Sequence, residues 1–400
     1  MRAAQKPLLV VLGILGASPF AGIAWQVLHY LEGFRRLGYD VYYVEDSGIW
    51  PYDPEQQTVT GDCHYTVNYI AKLMGWWGHP DRWAYRARYM DERVYGLAES
   101  QISNLFEHAE VVINLCGATE LREEHLKVPI RIYLETDPVL PQIEIAQGRQ
   151  SRISLLQSHT HHFSFGENLG ATDCRIPPVH FNYQPTRQPV ILDWWEAPES
   201  FNLESGHRFT TVASWQQSQN DIEWNGEMYS WSKHYEFLKF IDLPRQIKQP
   251  LELALACSDA HGKLSFPEVS QRLRSHGWQI IDAIGLSKNI LPYRDYILSS
   301  LGEFTVAKDQ NIRLRSGWFS DRSACYLAAG RPVVTQDTGF GNFLPTGEGL
   351  FAFNTIEEIL AAFEAINSDY DRHRRAARAI AEEYFDAETV LAKLGEDSGL

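Results

Sequence analysis

Residues 316–345 read SGWFSDRSACYLAAGRPVVTQDTGFGNFLP. A small apolar segment, ACYLAAG, ends at Gly330; an Arg-Pro pair, a short valine strand and a glycine-containing loop follow. Arg313, Arg315 and Arg322 stand just ahead of that segment. A helix of alanine, leucine, tyrosine and cysteine packs deeply, and its packing does not call for guanidinium groups at its mouth. Ser320-Asp321-Arg322-Ser323 reads as its start, with Ser320 or Asp321 as N-cap. Free backbone N–H groups, the positive end of the helix dipole and nearby cations together form an anion site. Lys308, at the end of EFTVAK, joins the same cluster. The alternative is that these arginines pair with some of the 51 acidic side chains.

Working outward, the chain alternates short apolar runs with amphipathic ones. Leu8–Gly13 is a fully apolar run, the mark of a central parallel strand. The loop GILGASPFAG follows it, then a helix from about Ala24 to Leu37 and a strand at Val41–Glu45. The basic, apolar, small-residue order of the start imitates a secretory signal, but the pattern runs straight on into the helix and fits strand–loop–helix–strand better. Gly13, Gly16 and Gly22 are spaced wrongly for a G-x-G-x-x-G fingerprint. VVINLCG (111–117), IRIYLETD (130–137) and HHFSFGE (161–167) continue the first half. The proline-rich stretch 177–206 marks a connection. RFTTVASW (208–215), LELALAC (251–257), WQIIDA (278–283), EFTVAK (303–308) and PVVTQ (332–336) repeat the alternation. The expected fold is α/β, two Rossmann-like domains facing across a cleft.

Composition narrows the partners. A net charge of −15 disfavours a nucleic acid, whose phosphates most of the surface would repel. Five scattered cysteines without C-x-x-C spacing predict free thiols in a reducing cytoplasm and give no zinc signal. No run approaches the ~20 apolar residues of a membrane span. His159, His161 and His162 have ligand-like spacing but no third partner in the sequence, and the only D-x-D, Asp369–Asp371, falls in the helical tail. No metal ion and no cofactor are expected.

The segment 303–366 resembles the donor-binding half of GT-B glycosyltransferases, whose helix ends in A-x-G-x-P-V-V as AAGRPVV does here. The opening 7–46 is similar to their N-terminal entry. The resemblance implies an acceptor-binding domain at 1–185, a linker at 186–206, a nucleotide-sugar domain at 207–375 and a helix at 376–400 returning to the first domain. It also implies a donor site of Ser214, Trp215, Lys233, Lys308, Arg313, Arg315, Ser320, Asp321, Arg322 and Ser323, covered by a loop at Thr338, Gly339, Phe340 and Gly341. The E-x-F-G-x-x-x-x-E pattern of many retaining members departs here: its glutamates would fall at Gly317 and Cys325.

An acceptor hydroxyl needs a general base at a strand end or adjacent loop. Asp137 leads, with Glu135 and His29 behind it and Glu45 and Asp46 weaker; Gly16, Pro19 and Gly22 form the acceptor-side loop. The expected activity is metal-independent transfer of a sugar from a nucleotide diphosphate to a small-molecule or lipid-like acceptor. A nucleotide-sugar 2-epimerase and a non-catalytic sugar-nucleotide-binding relic are the alternatives, and the absent G-x-G-x-x-G speaks against a dinucleotide oxidoreductase.

Overall fold

The computed structural model describes residues 6–89, 92–196, 208–217, 219–257 and 266–400. Part of the expected linker, 197–206, lies outside these described residues.

The first sheet contains β1 (Leu8–Leu12), β2 (Asp40–Glu45), β3 (Trp83–Arg86), β4 (Val94–Gly96), β5 (Val111–Leu115), β6 (Ile130–Glu135), β7 (His161–Ser164) and β8 (Tyr183–Pro185). Their order is β8-β7-β6-β5-β1-β2-β3-β4, parallel except for the β3–β4 pair. The second holds β9 (Phe209–Ser214), β10 (Leu251–Ala256), β11 (Gln279–Asp282), β12 (Gly302–Thr305), β13 (Val333–Gln336) and β14 (Leu350–Phe353). It is wholly parallel, ordered β11-β10-β9-β12-β13-β14. A parallel sheet is covered on both faces, so its central strands are apolar throughout. Accordingly Leu9 and Val11 of β1 belong to one core cluster, and Val10 and Leu12 to another on the opposite face.

In both sheets the strand order reverses beside the first strand, at β1/β5 and at β9/β12. Such reversals open a crevice at the strands' C-terminal ends, because the flanking crossovers leave to opposite faces. Four helices matter to that crevice: α1 (Ala21–Arg36), α2 (His234–Lys239), α3 (Asp321–Ala328) and α4 (Ala387–Ser398). α3 stops where Gly330 adopts a left-handed φ of +63° and the Arg331 N–H returns to the Tyr326 carbonyl at 2.8 Å. Arg331 is itself buried, donating to the Leu298 carbonyl.

The halves meet along a polar seam. Arg315 donates to Asp173 at 2.7 Å and to Asp337 at 3.0 Å. Asn168 donates through Nδ2 to the Arg315 carbonyl at 2.8 Å and accepts from Asn342 at 3.0 Å. The Trp318 indole N–H reaches the Thr136 carbonyl at 2.9 Å. Beside this seam one apolar cluster runs continuously from β1 and α1 through Trp195 to Phe319, Tyr326 and Phe385.

After β14 the chain returns to the first half. Val190 N–H donates to Phe385 and Ala387 N–H to Val190, at 2.7 and 3.0 Å, which lays α4 against α1. The two helices touch at Gly33, where an added Cβ would stand 2.4 Å from Leu391 and 3.3 Å from Ala387. Gly33→Val is therefore expected to lower stability by about 1–3 kcal/mol through overpacking. Urea denaturation checks this, and an unchanged midpoint would place α4 elsewhere.

Candidate active site

A cavity of about 380 Å³ opens between the halves at the crevice defined by the two reversals. Ser18 and Phe20 of the loop after β1, with Gly22, Trp25, Gln26 and His29 of α1, form one wall. The opposite wall comes from Val212–Ser214 at the end of β9, Ala256 at the end of β10, and Lys308 after β12. Ser320, Asp321, Arg322 and Cys325 present the N-terminal face of α3. Trp231, Lys233 and Trp318 complete the polar end.

Three cations share this space, and their surroundings differ. Arg322 is locked into the second sheet: Nε donates to Glu303 and one terminal nitrogen to the Val212 carbonyl, both at 2.5 Å. The other terminal nitrogen reaches Thr305 Oγ1 at 3.1 Å. Lys308 crosses the seam to Asp137 Oδ1 at 2.6 Å, with its ammonium 3.1 Å from the Trp231 ring centre. Lys233 precedes α2, lies 5.6 Å from the Trp318 ring centre, and forms no ion pair among the described residues. Burial pulls its pKa down to about 7, and the charges of Arg322 and Lys308 add to the effect. A buried ammonium under that pressure regains its proton when an anion arrives.

Several expected site residues lie elsewhere, each for a physical reason. Trp215 turns into the second core and stacks on Phe237. Arg313 lies over Tyr229 and pairs with Glu227 and Asp309, while Arg315 is taken by the seam. These two arginines thus follow the ion-pair alternative. Ser323 is fully buried with its hydroxyl donating to Glu303 at 2.5 Å. Ser320 occupies the N-cap position of α3 without making a side-chain capping bond. The loop Thr338–Gly341 does not line the cavity: Thr338 donates to the Trp318 carbonyl, Gly339 approaches Asn168, and Phe340 packs on Phe319. It closes the seam rather than covering a donor sugar, and Gly341 is exposed there.

The acceptor-side candidates also separate. Of Gly16, Pro19 and Gly22 only Gly22 lines the cavity; Gly16 is held by its N–H on Glu45 at 2.7 Å, and Pro19 is buried. Glu135 sits inside the first half, accepting from Gln142, Ser164 and Tyr183, and burial pushes its pKa up to about 8. It does not reach the cleft. His29 does line the cavity, but Ile191 N–H donates to Nδ1 at 3.0 Å and the Trp195 indole N–H lies 3.2 Å from Nε2. Burial pulls its pKa down to about 3, so the ring stays neutral and has a single acceptor nitrogen, which one of these two N–H donors takes. Asp137 is tied to Lys308 beside the cavity rather than lining it. Asp46 is fully enclosed by Arg86, Arg122 and His125. Its grouping with Glu124 and His125 resembles a metal-ligand set, but the arginine cations already occupy the carboxylates. The histidines of 159–162 hydrogen-bond locally instead: His159 to Leu155 and His162 to Leu156. Gln26, Trp231 and Trp318 were not singled out by the sequence. Only the tryptophan richness of the chain pointed toward an aromatic-lined cleft.

No family model and no curated protein matches the sequence. Solved structures do match over nearly the whole chain. An alpha-glucosyltransferase in complex with UDP and a 13-mer DNA aligns with a TM-score of 0.56 at 10% identity, covering 99% of this chain and 100% of that one. Anabaena Alr3699/HepE in complex with UDP-glucose gives 0.58 at 11% identity, over 98% and 100%. AviGT4, a glycosyltransferase involved in avilamycin A biosynthesis, gives 0.52 at 15% identity, over 98% and 97%. The chain has the GT-B fold.

Within that fold, the missing glutamate at position 317 has a structural explanation. Gly317 adopts φ +78°, and a Cβ there would meet the Asn168 backbone nitrogen at 2.5 Å. No side chain fits, because this is where the halves touch. Cys325 lines the cavity with Sγ 4.0 Å from His29 Nε2. Gly317→Glu, which restores the glutamate of the pattern, should therefore lose about 2–4 kcal/mol of stability from backbone strain and overpacking. Thermal unfolding checks this, and a melting temperature equal to wild type would contradict the contact at Asn168.

Proposed function

We propose that this protein is a glycosyltransferase that takes a sugar from a nucleoside diphosphate donor, UDP-linked in the first instance. The observation carrying this reading is Lys233, an ammonium without a described counter-charge beside two further cations, at the strand ends of a GT-B crevice. Breaking the sugar–phosphate bond builds negative charge on the diphosphate, and fixed cations with helix N–H groups stabilise that charge as it develops. Lys233, Lys308 and Arg322 supply this without a metal ion. The structural neighbours point the same way: one is an alpha-glucosyltransferase solved with UDP, and HepE is solved with UDP-glucose.

The opposite wall suits a small or lipid-like acceptor. Phe20, Ile23, Trp25 and Pro189 give it an apolar surface, and the net charge of −15 opposes a polyanionic acceptor such as DNA. None of the five cysteines forms a disulfide, which supports work in a reducing cytoplasm; no helix among the described residues is long and apolar enough to cross a membrane.

Titration calorimetry with UDP tests the donor site. Wild type should bind, and Lys233→Ala and Arg322→Ala should each weaken binding roughly tenfold or more, as expected for loss of a charge-assisted contact. Because Lys233 carries its charge below about pH 7 in the free protein, affinity should fall as pH rises through and beyond that value. The Lys233→Ala variant should lose that dependence. A protein that binds no UDP, or a variant with unchanged affinity, would refute the assignment.

A further inference from the structure

Asp321 is the only acidic side chain that lines the cavity among the described residues. It stands at the first position of α3, four residues before Cys325, so the two share one helical face about 6 Å apart along the axis. The helix thus carries a carboxylate one turn earlier than the glutamate that the family pattern places at position 325. Its neighbour Arg322 is rotated about 100° around the helix and is held against β9 and β12. Asp321 instead faces the first half, where Oδ1 accepts from Gln26 Nε2 of α1 at 3.0 Å. No side chain among the described residues donates to Oδ2.

Resting on the glycosyltransferase reading, we propose that Asp321 is the general base of the transfer, the role expected of Asp137. Asp137 is committed to Lys308, and the single acceptor nitrogen of neutral His29 is taken by a neighbouring N–H. In the step, Asp321 takes the proton of the attacking hydroxyl while that oxygen bonds to the anomeric carbon. The bond from that carbon to the diphosphate oxygen breaks, and its electron pair leaves with the diphosphate toward Lys233, Lys308 and Arg322. Burial raises the Asp321 pKa to about 6, opposed by the Gln26 hydrogen bond and by Arg322. Asp137 and Cys116 of the first half also face it, as do Tyr30 of α1, Lys308 and Cys325. A base with that pKa is ionised at neutral pH yet still basic enough to accept a proton in the transition state.

Asp321→Asn separates the chemistry from a structural role, because the amide oxygen still accepts from Gln26. With UDP-glucose as donor and water as acceptor, turnover should fall ~100-fold or more while UDP affinity is kept or raised. Asp321→Glu should recover part of the loss. Wild-type turnover should rise with pH through about 6, and the Asn variant should lack that limb. If Asp321→Asn does not fold, the wild-type profile still decides: a flat rate between pH 5 and 8 overturns the proposal. Near-normal turnover in a folded Asp321→Asn that binds UDP overturns the base assignment alone. Wild-type protein that binds no UDP overturns the underlying reading and the assignment with it.

Discussion

A half-buried ammonium without a fixed counter-charge among the described residues is the constraint around which this site is arranged. Lys233 shares its cavity with Lys308 and Arg322, and only those two have carboxylate partners among the described residues. Removing a cation from water without such a partner costs several kcal/mol, and the protein meets that cost by lowering the group's proton affinity. The arrangement is an unfavourable resting state that the proposed anionic ligand would relieve. Glu303 plays the opposite part: it is fully buried, and Arg322, Ser323 and Thr211 all donate to it, so the guanidinium is positioned before any ligand arrives. One fixed and one exchangeable ion pair therefore flank the unpaired lysine. Lys308 belongs to the exchangeable kind, because its partner Asp137 lies on the other side of the seam.

That seam joins electrostatics to shape. Gly317, Asn168, Arg315 and Asp173 bring the two sheets' loops into contact where the family pattern would carry a carboxylate. A contact made through backbone at a positive φ leaves no volume for a side chain. Loss of the glutamate at 317 and close apposition of the halves are thus one structural fact.

The β–α alternation was legible because central parallel strands are apolar on both faces; LLVVL, VVINL and FTTVAS announce themselves by composition alone. The start of α3 after Ser320 was legible from residue type, although Ser320 makes no capping bond, and its stop from the glycine at 330. The site was only partly so. Arg313, Arg315 and Arg322 look equivalent in sequence, yet their roles depend on acids far away in the chain: Glu227, Asp173 and Glu303. Local reasoning has no access to such partners. Lys233 was obscured for a related reason, since the hairpin Ile222–Trp224/Glu227–Tyr229 separates it from β9 and hides the spacing. Glu135 misled because a carboxylate at the end of a buried strand is placed equally well to serve an internal network as a cleft.

The measurement that tests the account most directly is a crystal structure of the protein with UDP at saturating concentration. The diphosphate should lie within hydrogen-bonding reach of the Lys233 ammonium, beside Arg322 and the start of α3, with the Lys308–Asp137 pair loosened. An empty cavity, or a diphosphate bound away from Lys233, would contradict it.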